Sequence, residues 1–189
     1  MPAPLLTESG AMAPLLVHPS VRPHPLVAVF LGTDHHPFDR VLTWSGDLAA
    51  ADHHRWFVQH GYTDLPPTLD GAPILTARLL GELLRRADAV VTHAGPGMIM
   101  EARRAGHQPI VVARESGRGE HVDDHQVRFA EHVAGSGLIT LVRHRVELET
   151  ALAQTLRRGR RAAASPERSS EVAARFGDLV DRLPLRRAS

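Results

Sequence analysis

The chain has no cysteine, and its basic residues are all arginine: lysine is absent from its 189 residues. The first absence removes disulfides, thiolate zinc sites and cysteine nucleophiles, and it suits a reducing compartment. The second removes a Schiff-base lysine and a phosphate-loop lysine. Charge of one sign is also lacking. The net charge of +1 offers no field that would hold a nucleic acid by bulk electrostatics. Long apolar runs are missing as well. A stretch such as Leu26–Leu31 has six residues, far below the roughly 20 that span a bilayer. No basic region precedes a continuous apolar core at the N-terminus, so no signal peptide is read there. A soluble, cytoplasmic chain is the expectation.

What is present fits one domain of ordinary size, with 43% apolar and 23% charged residues and enough length to bury a core. Residues 1–24 carry Pro2, Pro4, Pro14, Pro19 and Pro23 without helical or strand period, and read as a flexible leader. From Leu26 onward, β-rich runs alternate with amphipathic stretches. Strands are expected at 26–31, 55–60, 88–92, 109–113 and 138–142. Phe38, Val41, Leu42, Ser45, Leu48 and Ala49 give one helical face, Leu79, Leu80, Leu83 and Leu84 another, and Val127, Ala130, Val133 and Ala134 a third. A further helix is expected over 146–158. This alternation predicts an α/β fold, a parallel sheet with helices on both faces. The domain spans 25–160, followed by an Ala/Ser/Pro-rich linker over 161–170 and a C-terminal helix over 171–189.

In such a sheet, ligands bind at the carboxyl ends of the strands. Gly32-Thr33, Gln59-His60-Gly61, His93-Ala94-Gly95 and the loop from Arg114 to His121 all fall there. The run from His93 through Gly95-Pro96-Gly97 to Glu101 reads as a strand, a glycine turn and a helix start. Free amides at a helix N-terminus attract phosphate, glycines allow close approach, and the Glu101 carboxylate can accept from ribose hydroxyls. The same segment also reads as a plain connection, with Pro96 at the first helical position and Glu101 paired to Arg104. A nicotinamide fingerprint fits poorly, because the third glycine is missing.

His125-Gln126 carries two readings too. Asp123 and Gln126 can form a capping box, or the helix start can offer His125 and Gln126 to a sugar. Thirteen histidines raise a metal-dependent hydrolase as a rival, with His121 and His125 four apart. No third ligand is fixed by sequence, and no metal is expected. Thr33 can donate to phosphate, and His35 and His36 are candidates for phosphate contact or acid–base chemistry. Arg157, Arg158, Arg160 and Arg161 complement a helix C-terminus or face anionic lipid.

Taken together these residues resemble the C-terminal, nucleotide-sugar-binding half of family 28 glycosyltransferases. The nearest likeness is to stand-alone halves: the small catalytic subunit of the dolichol-linked N-acetylglucosaminyltransferase and the small subunits of bacterial exopolysaccharide and capsule transferase pairs. The resemblance runs from about 26 to 156. It rests on Gly32-Thr33 through Phe38-Asp39, Gln59-His60-Gly61, His93-x-Gly95-x-Gly97 with Glu101, Gly106-x-x-Pro109 with Ile110-Val111-Val112, and His121-x-x-Asp124-His125-Gln126.

The resemblance implies a Rossmann-like domain, one half of a two-domain GT-B enzyme, and a UDP-sugar site at Gly32, Thr33, His93, Gly95, Gly97, Glu101, His125 and Gln126. In it His93 and the amides after Gly95 hold the diphosphate, Glu101 the ribose, His125 and Gln126 the sugar, and main chain near Pro73–Leu75 the uracil. Met98 departs from the hydroxyl or amide that relatives often carry there. The implied reaction is inverting transfer of a hexose or hexosamine from a UDP-sugar to a lipid-linked acceptor in polysaccharide or glycolipid synthesis, with no cofactor and no metal. The base would come from a membrane-associated, acceptor-binding partner subunit that recruits this chain to the inner membrane face. The alternative is a non-catalytic nucleotide-sugar-binding regulatory subunit.

Overall fold

The computed structural model describes residues 24–159 together with Ala174. The linker expected over 161–170 lies outside the described residues. So do the leader except His24 and the terminal helix except Ala174. Among the described residues, eleven strands and α-helices follow one another: β1 (Leu26–Phe30), α1 (Asp39–Ala51), β2 (Arg55–Gln59), β3 (Asp70–Ala72), α2 (Ala77–Arg86), β4 (Ala89–His93), α3 (Pro96–Arg104), β5 (Ile110–Val112), α4 (His125–Ala134), β6 (Thr140–Leu141) and α5 (Arg145–Arg158), with one 3-10 turn at Ser116–Arg118.

The strands form one sheet in the order β3-β2-β1-β4-β5-β6, and every pairing is parallel. β1 is buried along its whole length. That explains why its sequence is a continuous apolar run rather than an alternation, since both faces of the sheet are covered. On one face α1 and α5 pack Val41, Leu42, Leu48, Leu148 and Leu152 against Val27, Val29, Val58, Val91 and Ile110. On the other, α2 and α3 cover Ala28, Phe30 and Val90, while α3 and α4 cover Val111 and Ala113 with Ile99, Phe129 and Val133. Full burial of a side chain such as Phe30 or Val29 contributes roughly 1.5–3 kcal/mol.

Chain direction through the sheet reverses between β1 and β4. In a parallel open sheet this switch point leaves a crevice at the carboxyl ends, where the loops after the two central strands diverge. Here those loops begin at Leu31 after β1 and at Ala94 after β4. The sequence therefore places its glycine-bearing turns, Gly32 and Gly95, at the crevice.

One strand is unexpected, and one of the two readings of the α4 start is corrected. β3 went unread, because Asp-Gly-Ala offers neither β-branching nor an apolar face. Its Gly71 lies so near β2 that a Cβ there would stand 2.3 Å from the Val58 carbonyl oxygen. The capping box at α4 does not form. Asp124 is the N-cap and makes no side-chain cap bond, Asp123 Oδ1 accepts from the His125 amide at 2.8 Å, and Gln126 turns inward instead.

Candidate functional site

β4 ends at His93, and the chain then turns through Ala94 and Gly95 into α3. Gly95 is the N-cap with Pro96 as the first helical residue, and no side chain caps the helix. The Gly95 amide donates to His93 Nδ1 at 3.2 Å. Proline has no N–H to offer. The α3 amides with no intrahelical partner and no cap are therefore those of Gly97 and Met98.

The His93 ring lies where the loops after β1 and β4 meet, against Gly32 and Gly95. Burial, reinforced by the charge of Arg114 and opposed by Asp34, holds its pKa at about 4. It is thus neutral at pH 7. Because Nδ1 accepts the Gly95 amide, the ring proton sits on Nε2. That edge lies against the first loop: a Cβ on Gly32 would stand 2.5 Å from Nε2. A Cβ on Gly95 would meet the same ring at 2.3 Å, and one on Gly61 would meet the Gly32 carbonyl oxygen at 2.5 Å. Gly32 and Gly61 also have positive φ, +82° and +59°. These three glycines are required by the protein's own packing. Gly97 differs, since nothing lies within 4 Å of the Cβ it lacks.

Gln59 fixes the first loop. Its side chain accepts from the Gly32 amide at 3.0 Å and donates to the Gly32 and Pro73 carbonyls, both at 2.8 Å. It so prolongs the ladder of β1, β2 and β3 by one side-chain link. The Pro73 carbonyl also accepts from Gly61 at 3.0 Å. The loops after all three strands are thereby tied together.

Beyond β5 stands Arg114, fully buried. Its guanidinium donates to the carbonyls of His36 at 2.7 Å, Glu120 at 2.9 Å and Leu31 at 2.9 Å. It also lies 4.6 Å over the Phe38 ring. Burial pushes its pKa down, and Asp34 and Glu120 counter by pulling it up. Arg40 closes the other side by holding Glu120 through Nε at 2.9 Å and Nη2 at 2.7 Å. Neither Arg114 nor the Arg40–Glu120 pair was picked out from the sequence. The available signal was an arginine set directly after the apolar run Ile110–Ala113.

Asp34, in the loop after β1, is pushed up by burial. The amide and ring of His36 and the charge of Arg114 outweigh that push and hold it at about 2. It accepts from the His36 amide at 2.8 Å and from His36 Nδ1 at 2.6 Å. Thr33 and His35 are exposed, and His36 is half-buried.

The remaining expected residues divide. Glu101 is exposed on α3 and paired with Arg104 at 2.8 Å. His125 is exposed at the start of α4, its Nδ1 on the Asp123 carboxylate. Gln126 is buried, and its side-chain oxygen accepts from the Arg114 amide at 3.4 Å. The structure brings Gly32, His93 and Gly95 into direct packing and leaves Glu101 and His125 facing solvent.

The family model of the glycosyltransferase family 28 C-terminal domain matches residues 74–183. This span includes His93, Gly95, Gly97, Glu101, His125 and Gln126, and leaves out the loop from Gly32 to His36. No curated protein matches the chain. Among solved structures, the glycotransferase of kitacinnamycin shares 20% identity with a TM-score of 0.54, over 84% of this chain and 40% of its own. CalG4, the calicheamicin glycosyltransferase, shares 20% identity with a TM-score of 0.53, over 87% of this chain and 40% of its own. The chain thus spans about two fifths of the length of these structures, and the likeness is one of fold.

Proposed function

The chain belongs to the glycosyltransferase family 28 C-terminal domain family, and from that membership we propose that it binds a UDP-sugar in the crevice between the loops after β1 and β4. The reading is carried by Gly97. Gly97 is the second residue of α3, where glycine is a poorer helix former than alanine, and no neighbouring atom of the chain needs the space. Close approach of a ligand to the α3 backbone accounts for it. The amides of Gly97 and Met98 would then donate to the diphosphate, helped by the positive end of the helix.

His93 contributes as a neutral donor through Nε2. Burial keeps it from carrying charge, and it is held in place by the Gly95 amide. Thr33, exposed beside Gly32, supplies a hydroxyl to the same phosphates. Glu101 is the ribose acceptor. One carboxylate oxygen faces Arg104, and the group is exposed enough to take two hydroxyls with the other. His125 stands at the sugar end. Gln126 supports this end by holding the turn after β5 rather than by reaching outward.

The proposed reaction is inverting transfer of a hexose or hexosamine to the hydroxyl of a lipid-linked acceptor. As the glycosidic bond to UDP breaks, charge grows on the β-phosphate, where preorganised donors are most effective. The amides of Gly97 and Met98 and the His93 Nε2–H meet it there. In keeping with the stand-alone halves that the sequence resembles, the acceptor and its base are assigned to a membrane-associated partner subunit. Among the described residues, no helix is long and apolar enough to cross a membrane.

Calorimetric titration with UDP and UDP-sugars tests the reading. Saturable binding is expected, weakened at least tenfold in Gly97→Ala and in Glu101→Ala, with Gly97→Ala at the same time melting higher than the parent. Absence of saturable binding, with or without the partner subunit, would overturn it. Sugar transfer that survives both substitutions would leave only a nucleotide-sugar-binding regulatory role.

A further inference from the structure

In the sheet, β4 stands between β1 and β5. The loops after β1 and β5 therefore flank the end of β4, roughly 10 Å apart at about 4.8 Å per strand. Arg114, the second residue after β5, sends its side chain across that gap. On the far side its guanidinium holds the Leu31 carbonyl at 2.9 Å and the His36 carbonyl at 2.7 Å, and on its own side the Glu120 carbonyl at 2.9 Å. Its backbone amide meets the Gln126 side chain in the first turn of α4. One residue so ties the loop that carries Thr33 to the helix start that carries His125. The two border one space: the His36 and His121 rings lie 5.8 Å apart, and His125 meets His121 at 4.5 Å.

Burying a cation whose hydrogen-bond partners are carbonyls costs desolvation energy that a neutral donor would not. The buried Arg114 Nε–H finds no partner at all. What arginine alone brings is a planar fork that fixes several acceptors at once. The gain lies in the spacing of the two loops.

We propose that Arg114 is a positioning residue for the sugar of the donor: by fixing the loop after β1 against the start of α4, it sets the space in which a UDP-linked hexose or hexosamine is held, and with it the preference for a UDP-sugar over UDP. This rests on the UDP-sugar reading above and deepens it. The nucleotide half lies outside its hold. Among the described residues, the hydrogen bonds of Arg114 go to Leu31, His36, Glu120 and Gln126, and none goes to α3 with its Gly97 and Met98 amides and Glu101.

Calorimetric titration of the purified full chain tests this with UDP, UDP-glucose and UDP-N-acetylglucosamine, in the parent and in Arg114→Lys, which keeps the charge and loses the fork. The ratio of the UDP-sugar to the UDP dissociation constant should rise roughly tenfold in Arg114→Lys, while the UDP constant itself changes by less than about threefold. Phe38→Leu, which removes the ring 4.6 Å from the guanidinium, should shift the ratio in the same direction. Leu84→Ala truncates a buried residue of α2 outside the crevice and should leave the ratio unchanged, as lost stability alone would. Circular dichroism confirms that each variant is folded at the titration temperature. The parent ratio in folded Arg114→Lys and Phe38→Leu, or equal weakening of UDP and UDP-sugar, overturns the inference and leaves the UDP-sugar reading standing. A parent that binds UDP and neither UDP-sugar overturns the inference as well. A parent that binds none of the three overturns the underlying reading, and the inference with it.

Discussion

Gly32, Gly95 and Gly97 look alike in the sequence, yet the structure separates their reasons. The first two make room for the His93 ring and the third leaves space for something else. Gly32→Ala, at a φ of +82° and with 2.5 Å to Nε2, should destabilise the chain by about 1–3 kcal/mol. Combining it with His93→Ala should restore part of the loss, a coupling of about 1 kcal/mol or more between touching residues. Strictly additive effects in urea unfolding would show that the ring is not what excludes the methyl. His93 itself makes stability depend on pH. Its folded pKa of about 4 lies below the ordinary 6.5, so the unfolded chain binds the proton first as pH falls. The contribution is fully present above 6.5 and drains away towards pH 4, to a total of roughly 3 kcal/mol. His93→Gln should flatten the stability profile across that window, and an unchanged slope would refute the neutral ring.

At the scale of elements, the strands and helices were legible wherever apolar period and length agreed. β1, β2 and β4 fall within a residue or so of expectation, because each holds a run of at least three β-branched, aromatic or other apolar residues. β5 and β6 come out shorter than expected, at Ile110–Val112 and Thr140–Leu141. Their flanking residues Ala113, Leu138 and Ile139 are buried by packing against α3 and α4 rather than by strand pairing. β3 left no trace, being set by a backbone approach to Val58. The glycine turns of the site were readable because they recur at strand ends. Arg114 was not, since nothing local says that a side chain will cross to Leu31 and His36. Removing it tests how far it holds these loops together. Arg114→Met should cost about 3–5 kcal/mol by leaving the carbonyls of Leu31, His36 and Glu120 without their donor. A loss under about 1 kcal/mol in denaturant midpoint analysis would mean that Arg40 alone secures the segment.

For the molecule as a whole, a ligand that joins the loops after β1 and β4 would bridge the two halves of the sheet. UDP at a hundred times its dissociation constant adds about 2.7 kcal/mol by mass action. For a domain of this size that should raise the melting temperature by roughly 5–10 °C. No rise at saturating UDP would argue against the crevice as its seat. The sheet's outer margins carry a different message. Its two boundary strands are the three-residue β3 and the two-residue β6, so each rim presents only a brief row of open backbone groups. Rims that short make poor templates for foreign strands, and this α/β unit should resist edge-to-edge stacking into fibres even at high concentration.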